Sequence, residues 1–501
     1  MKIGFVYPAF ENLGIEYISA ILKRTGHETF LAFDPQLFDD LFVNWKVLGR
    51  LFDYKKRLIK QLKIEKPDLI AFGIVSDLCP WAFELAQNIK KELKGIPILF
   101  GGPHVTAVPK AVLEKPFIDY IIIGEGEYAT HELVEALNKN LPIKDIQNLG
   151  YKENNEIIIN EPRSLMQNLD ELPFPDTDLF LRQNPYAHRE YNIMTARGCV
   201  NSCSYCHNSV ERKILWKHQG KYLRRRSVEN VIRELKERKI KYNFNTICIW
   251  DEVFTYDVKW LEVFCKRYKE EIGLPFWTFI HPDHVSEKIV QLLEEAGCWE
   301  VEIGIQTLNP WVKKDILRRP ETKEDIANAI NLFRKTKIRV VVDVIFGLPL
   351  LSEGDYTELI EFFIDNMPSK IQTFWLRYYP CTDIIETALQ NELLTPQELD
   401  DINNGIPSRA AASGGSRIDH KFEKYQTALT FLPYFPDFIL INLIKRNWIR
   451  FLPRISGFGH LFTRMLDIRN RNDLGGRRYK GRIIHYSLKR IMPFNYHQQR
   501  Q

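Results

Sequence analysis

Long apolar runs are missing from this chain. No stretch approaches the about 18 consecutive apolar residues that a membrane-spanning helix needs. The N-terminus, MKIGFVYP, has neither the charged region nor the apolar region of a secretory signal peptide. We therefore expect a soluble, cytoplasmic protein.

Cysteine is also scarce, with 8 residues in 501. Five of them stand alone, at Cys79, Cys248, Cys265, Cys298 and Cys381. Isolated cysteines do not form a disulfide framework, so a reducing compartment is favoured. The other three, Cys199, Cys203 and Cys206, lie together in TARGCVNSCSYCHNS, and we expect this group to carry chemistry.

The net charge of +5 hides an uneven distribution. From Leu440 to the C-terminus, fourteen Lys and Arg stand against two Asp, which gives +12 and leaves −7 for residues 1–439. The C-terminal segment therefore presents a different kind of surface from the rest of the chain.

Apolar runs alternate with amphipathic stretches over residues 1–145. The runs KIGFVYP, HETFLAFD, DLIAFGIV, IPILFGG and DYIIIGEGE are typical of buried strands. This alternation predicts a five-stranded, doubly wound (Rossmann-like) α/β domain. Residues 146–187 then predict a hairpin that turns at Asn154 and Asn155, followed by a Pro-rich linker.

A second βα series fills residues 188–395. Its six strand candidates begin at YNIMTARGC and end at IQTFWLRYYP, which predicts a partial (β/α)6 barrel with reactive groups at the carboxyl ends of its strands. Residues 396–501 form the basic C-terminal region, which we expect to be mainly helical.

Three cysteines without a fourth suit an iron–sulfur cluster better than zinc. A structural zinc site takes four tetrahedral ligands, and the nearby fourth candidate, His207, is adjacent to Cys206 and badly placed. A four-iron cluster held by three thiolates keeps one iron open for another ligand. Zinc or plain core cysteines remain the alternatives.

The C-x3-C-x2-C spacing, on a loop after the first barrel strand, resembles that of the radical S-adenosylmethionine (SAM) enzymes. The resemblance implies a 4Fe-4S cluster on Cys199, Cys203 and Cys206, with SAM on the open iron. Reduction by a donor such as flavodoxin or ferredoxin would then yield a 5′-deoxyadenosyl radical.

Further motifs resemble the SAM site of that family. The resemblance assigns the adenine side to Tyr205, the methionine amino group to WDE at 250–252, and the ribose and adenine to GIQT and FGLP. The implied contacts are Tyr205, Asp251, Glu252, Gly304, Gln306 and Gly347. The alternatives are solvated acidic residues at a strand end and ordinary turn glycines.

Two residues depart from the resembled pattern. His281 in IHPD and Cys381 in YYPCTD stand where Arg and Gly are expected. They either shape the substrate pocket or reflect neutral change in a tolerant loop.

The N-terminal domain resembles the cobalamin-binding domain of cobalamin-dependent radical enzymes. Glycines at strand ends let the backbone approach a bulky ligand, and Ser76 could hydrogen-bond its nucleotide tail. The candidate contacts are Ser76, Gly101, Gly102, His104, Gly124, Glu125, Gly126 and Glu127. The alternative is that these glycines only turn the chain.

The D-x-H-x-x-G loop that supplies an axial histidine in many cobalamin proteins is absent. The first loop reads YPAFENLGIEY, and His27 lies beyond the following helix. We expect cobalamin to bind base-off, without a histidine ligand.

The resemblance implies a cobalamin-dependent radical methyltransferase (class B). Such an enzyme methylates an unactivated carbon of a small-molecule or lipid-like substrate, using a deoxyadenosyl radical and methylcobalamin. A non-methylating radical enzyme, for oxidative cyclisation or rearrangement, stays open. A cobalamin or cluster sensor that binds nucleic acid is less favoured, because the cluster, acidic and glycine motifs are all present.

The basic C-terminal region interleaves aromatic and aliphatic residues with Lys and Arg. This composition is typical of a helix in a bilayer interface and predicts peripheral contact with an anionic membrane. A helical cap over the barrel and a nucleic-acid surface are the alternatives, and the last is the less expected.

Overall fold

The structure is a computed structural model that describes residues 1–37, 49, 51–184, 189–215, 220–406, 422–454, 482 and 484–486. Two sheets and a two-stranded ribbon organise it. The strands are β1 Lys2–Pro8, β2 Glu28–Asp34, β3 Leu69–Gly73, β4 Ile98–Gly101, β5 Tyr120–Ile122, β6 Leu149–Glu153, β7 Glu156–Ile159, β8 Glu190–Ile193, β9 Ala196–Arg197, β10 Arg224–Arg225, β11 Thr246–Ile249, β12 Phe276–Ile280, β13 Cys298–Gln306, β14 Arg339–Phe346 and β15 Lys370–Trp375.

Helices follow most strands of both sheets. In chain order they are α1 Leu13–Arg24, α2 Lys55–Glu65, α3 Cys79–Glu92, α4 Pro103–Ala107, α5 Pro109–Leu113, α6 Glu127–Lys139, α7 Asp178–Leu181, α8 His207–Leu215, α9 Val228–Tyr242, α10 Val258–Glu271, α11 Glu287–Ala296, α12 Lys323–Arg334, α13 Glu353–Asp365, α14 Ile384–Gln390, α15 Pro396–Asn403, α16 Glu423–Phe431 and α17 Asp437–Lys445. Apolar residues pack between them and the sheets, because parallel strands need cover on both faces.

The N-terminal sheet has the strand order β2-β1-β3-β4-β5-β6-β7. Its first five strands run parallel, which confirms the doubly wound domain. The hairpin forms at the predicted turn, where Asn154 and Asn155 have φ of 50° and 67°. Its strand β6 pairs antiparallel with β5, so the hairpin extends this sheet to seven strands.

The strand order reverses between β1 and β3. Open α/β sheets bind ligands in the crevice outside the carboxyl ends of the two strands where the order reverses. In this chain the crevice is flanked by the loop after Pro8 and the loop after Gly73. The topology therefore places a ligand crevice between these two loops.

The second sheet has six strands in the order β8-β11-β12-β13-β14-β15, all parallel. Its first and last strands, β8 and β15, are the two edges and do not pair with each other. This confirms the partial barrel. The carboxyl ends of its strands share one rim, where the cysteine loop lies.

The N-terminal domain reaches both edges of the incomplete barrel. Asn192, on β8, donates to Glu11 at 2.6 Å. Arg377, just after β15, lies 2.6 Å from Asp77 of the loop that follows β3. The crevice of one domain therefore faces the strand ends of the other.

The C-terminal region packs partly against the barrel. In α16, Gln426 accepts a hydrogen bond from Trp375 of β15 at 3.0 Å. Leu440 and Leu443 of α17 are buried in the barrel's hydrophobic core. No helix in the described ranges has the length and apolar character needed to cross a bilayer. Most of the basic segment after residue 454 lies outside those ranges.

Gly102 offers a sharp test of the N-terminal sheet. It has φ of +107°, and a Cβ there would lie 2.5 Å from the Ile74 carbonyl oxygen. We expect Gly102→Ala to lower the free energy of unfolding of the cofactor-free protein by about 1–3 kcal/mol or more. Thermal and urea unfolding would measure the loss.

The matched control is Gly101→Ala. The nearest atom to a Cβ at that position is 3.8 Å away, an ordinary contact. Equal losses in the two variants would contradict the packing described for Gly102.

Candidate functional site

The three cysteines lie on the loop between β9 and α8. Gly198 starts this loop with φ of +87°, and a Cβ there would approach the Tyr222 carbonyl oxygen to 2.7 Å. In the middle of the loop, the Ser204 N–H donates to the Leu317 carbonyl and its carbonyl accepts from Ile384, both at 3.1 Å. The loop is therefore fixed by backbone contacts with the barrel rim.

An N–H group points to each of the three sulfur atoms. Asn201 donates to Cys199 Sγ at 3.4 Å, Asn208 to Cys206 Sγ at 3.8 Å and Arg319 to Cys203 Sγ at 4.0 Å. Such donors stabilise negative charge on sulfur, and hydrogen bonds to sulfur tune iron–sulfur clusters. This donor set fits a thiolate-bound cluster.

The free thiols are poor nucleophiles. Burial raises the pKa of Cys199 to about 11 and that of Cys206 to about 12. Both thiols are protonated at neutral pH unless a metal holds them as thiolates. The arrangement therefore favours ligands over covalent catalysts.

The thiols are also too far apart for one ion. Four thiolates around zinc, at about 2.3 Å each, lie about 3.8 Å from one another. Among the described residues, two groups bring three ligand atoms within 4.8 Å of one another, and neither contains these cysteines. The placement of the thiols therefore does not favour the zinc alternative.

Arg319 lies beside the cysteine loop and was not anticipated from the sequence. Its guanidinium donates to the Tyr205 hydroxyl at 3.2 Å and to the Gly304 carbonyl at 2.5 Å. It also lies 3.0 Å from His281 Nε2. A buried cation therefore connects the cysteine loop to the ends of β12 and β13.

Glu321 balances that cation. It accepts from Arg319 Nε at 2.7 Å and pairs with Lys313, and all three side chains are buried. Although burial opposes ionisation, contacts with His281, Arg319 and Lys313 hold the pKa of Glu321 well below its usual range. Burial lowers the pKa of Lys313 to about 8.

His281 is part of this buried network. It is 5% exposed, and its Nε2 lies 3.3 Å from Glu321. His281, which departs from the pattern of the resembled family, therefore contacts Arg319, and Arg319 lies next to Cys203. A sequence signal existed in RRPE, a basic pair and an acid just after a strand-end motif, but its partners are distant in the chain.

The two carboxylates of WDE have different surroundings. Asp251 is buried and accepts from the backbone N–H of Thr195 at 2.6 Å and of Ala196 at 3.1 Å, and it pairs with Arg225 at 3.2 Å. It holds the loop after β8. Glu252 is exposed in the cleft and interacts electrostatically with Cys199 and Cys206. Glu252 is therefore the carboxylate that faces the cysteine loop.

The glycine motifs lie at adjacent strand ends, as expected. Gln306 ends β13 with φ of +67°, and its side-chain amide covers Gly304, where a Cβ would meet Nε2 at 2.6 Å. Gly347 follows β14 with φ of +73° and donates to the Tyr356 hydroxyl at 3.2 Å. The structure thus brings Tyr205, Gly304 and Gln306 together around Arg319.

Part of the expected cobalamin set lies near the crevice. Ser76 follows β3, and its hydroxyl lies 2.9 Å from Nδ1 of the buried His104. Gly101 ends β4, and a Cβ there would meet only ordinary contacts with Ile122, at 3.8 Å or more. A small strand end and a hydroxyl beside the crevice fit a bulky ligand with polar edges. His27 lies elsewhere, bonded to Glu135 at 2.8 Å.

The GEGE loop has a different environment from the one expected. A Cβ on Gly124 would approach Leu215 of α8 to 2.8 Å, so this glycine packs against the barrel domain. Glu125 and Glu127 pair with arginines of β9 and β10 rather than facing the crevice. Cys381 is also at the interface, where its thiol donates to the Ala107 carbonyl at 3.3 Å.

We expect Cys203→Ala to lose both the cluster and the reductive cleavage of SAM, because two thiolates cannot replace three. Iron and acid-labile sulfide per chain and 5′-deoxyadenosine release, after anaerobic reconstitution, measure the two losses. Cys265→Ala is the matched control, since Cys265 is buried on the outer helix α10. Cleavage retained by Cys203→Ala would contradict the assignment.

Comparison with known proteins agrees with this geometry. Residues 193–363 match the Radical SAM superfamily, and residues 5–134 match the B12 binding domain. An uncharacterised methyltransferase of Pyrococcus horikoshii is 31% identical over 408 residues, which cover 79% of this chain and 84% of the relative. The anaerobic magnesium-protoporphyrin IX monomethyl ester cyclase of Cereibacter sphaeroides is 23% identical over 76% of this chain and 62% of its own.

The fold also matches a solved structure. The radical SAM methyltransferase TsrM of Kitasatospora setae, with cobalamin and a [4Fe-4S] cluster bound, superimposes with a TM-score of 0.62 at 17% identity, over 79% of this chain and 76% of its own. Both domains and their order along the chain are shared. The chain therefore belongs to the cobalamin-dependent radical SAM enzymes of the methyltransferase type.

Proposed function

We propose that this enzyme methylates an unactivated carbon of a small-molecule or lipid-like substrate. The observation that carries the proposal is the facing of the two sites: the β1/β3 crevice opens toward the barrel rim that bears the cysteine loop. When bound, the cluster supplies the electron that cleaves SAM, and cobalamin supplies the methyl group. A methyl donor and a radical generator on facing rims are suited to the transfer of a methyl group to carbon.

The chain's own residues would hold SAM at the rim. We assign the amino group to Glu252, because it is the exposed carboxylate beside the cysteine loop. Gln306, Gly304 and Gly347 would line the nucleoside side at adjacent strand ends, with Tyr205 held by Arg319 beneath them. Asp251 would act indirectly, by holding the loop that leads to the cysteines.

The cobalamin contacts are proposed more narrowly than the sequence suggested. We assign Ser76 and Gly101 to the lining of the crevice, with His104 hydrogen-bonded to Ser76 and Gly102 packed against the Ile74 backbone behind them. The absence of histidine from the loop after β1 favours base-off binding. The electron for SAM cleavage would come from a low-potential donor such as flavodoxin or ferredoxin.

A non-methylating radical reaction is the second candidate. The cyclase of Cereibacter sphaeroides aligns with 76% of this chain, so related sequences are not confined to methyltransferases. A cyclase consumes SAM to make 5′-deoxyadenosine without leaving a methyl group on its product. The fate of the methyl group therefore separates the two candidates.

A methyl-labelling experiment tests the proposal. Cobalamin-loaded, reduced protein is incubated anaerobically with SAM that carries a deuterated methyl group, and a cell extract supplies the substrate. We expect S-adenosylhomocysteine, 5′-deoxyadenosine and a metabolite or lipid that is heavier by one labelled methyl group. Mass spectrometry detects all three.

The controls are protein without cobalamin and the Cys203→Ala variant. Neither should give that labelled product, since each lacks one half of the chemistry. Release of 5′-deoxyadenosine with no labelled product and no S-adenosylhomocysteine would reject methyl transfer and favour the cyclase type.

We also propose that α17 brings the enzyme to an anionic membrane surface. One face of this helix is buried against the barrel, whereas Phe438 and Ile441 are 59% and 52% exposed on the other. Lys445 and Arg446 follow directly, and Arg450 packs on the exposed Phe451 ring. Exposed apolar residues beside basic ones suit an interface of acidic headgroups. Arg464 and the remaining tail lie outside the described residues.

Phe438→Ser/Ile441→Ser should weaken binding to vesicles rich in anionic lipid by about tenfold or more, since each large side chain buried in an apolar environment contributes about 1.5–3 kcal/mol. Co-sedimentation at low salt measures the binding. Leu350→Ser, which alters a residue 49% exposed elsewhere, is the control. If the unaltered protein ignores anionic vesicles, the membrane proposal is wrong.

A further inference from the structure

Four charged side chains, two of them buried and two partly buried, join the cobalamin domain to the cysteine loop. Glu125 comes from the loop after β5, Glu127 is the first residue of α6, and Arg197 and Arg224 come from the β9–β10 ribbon. Glu125 Oε1 lies 3.0 Å from Arg197 and 2.7 Å from Arg224, and Arg197 also pairs closely with Glu127. We call these four residues the interdomain quartet.

The quartet has no net charge, and most of its surface is shielded from water. The side chains of Glu127 and Arg224 are each 5% exposed. Two positive and two negative charges compensate one another, which is the condition for keeping charges out of water. Removal of one member would leave a charge without its partner at the contact between the domains. The pairs therefore favour one relative position of the two domains.

On the barrel side, the quartet lies close in the chain to the first of the cluster cysteines. Arg197 is two residues before Cys199, and between them stands Gly198, whose backbone packs against the Tyr222 carbonyl. Arg197 also pairs with Arg224 across the antiparallel ribbon. A displacement of the Arg197 side chain is therefore transmitted to Cys199 over a short, constrained piece of backbone.

On the other side, the same loop is fixed to the sheet that forms the crevice. Glu125 Oε2 accepts from the Met166 N–H, and the Gly124 N–H donates to Thr106 of α4, both at 2.9 Å. Helix α4 follows directly on Gly102 of the GGPH motif. The loop is thus anchored to the strand ends beside the ligand crevice.

We infer that Arg197 is a positioning residue that sets the separation between cobalamin and the cluster. The inference rests on both groups being bound, as in the proposed function, but not on methyl transfer itself. Glu125 and Glu127, expected from the sequence to touch cobalamin, act instead as the other half of this connection. An error of about 1 Å in such a separation is enough to cost about 10²-fold in rate.

The test is the magnetic interaction between cob(II)alamin and the reduced cluster in the loaded protein. Both groups are paramagnetic, and their dipolar coupling falls steeply with separation, so splitting and relaxation in the EPR spectrum report it without any substrate. The variant Arg197→Met/Glu127→Gln removes one charge of each sign and leaves the Glu125–Arg224 pair in place. We expect it to keep both groups but to show a weaker and more broadly distributed coupling.

The matched control is Arg163→Met/Glu132→Gln. This pair, 2.6 Å apart, removes the same charges but does not bridge the two domains. It should leave the coupling unchanged.

Arg197→Lys is the second variant, measured in case the double variant does not load. It keeps the charge but contacts one carboxylate at a time, and we expect an intermediate coupling. A coupling equal to that of the unaltered protein in the loaded variants would overturn the inference. If the unaltered protein shows the coupling but transfers no methyl group, the result counts against the proposed function alone.

Discussion

The rest of this structure depends on one constraint, which is that the carboxyl ends of the strands in one sheet face those in the other. Each rim is where a parallel α/β sheet presents its loops and where such a sheet binds its ligands. Contacts at Asn192 and Arg377 hold the crevice of one sheet above the barrel rim of the other. Groups bound at the two rims would therefore face each other.

Charge around the cysteine loop is arranged as pairs that extend away from it. Arg319 lies against Cys203, Glu321 balances Arg319, and Lys313 and His281 complete the group. Burial makes each unpaired member costly, so the charges of this network depend on one another. The loop gains a cation near its sulfur atoms without an exposed salt bridge that water would weaken.

Both sheets and the cluster loop could be predicted from the sequence, because buried strands and cysteine spacing are local signals. The different surroundings of Asp251 and Glu252 could not be predicted, because the two residues are adjacent and the sequence does not show which way each side chain points. The pairing of Glu125 and Glu127 with Arg197 and Arg224 could not be predicted for a related reason: the partners are about 70 and 99 residues away. Pairing across an interface leaves no periodic trace in the chain.

The contacts at the open edge of the barrel also bear on how the protein assembles. Asp77 and Tyr379 meet across 302 residues, and Glu11 and Asn192 across 181. Such distant pairs form only after the intervening chain is ordered, so each domain folds before the two dock. During synthesis the first domain emerges with its crevice uncovered, and docking of the finished barrel then closes over it.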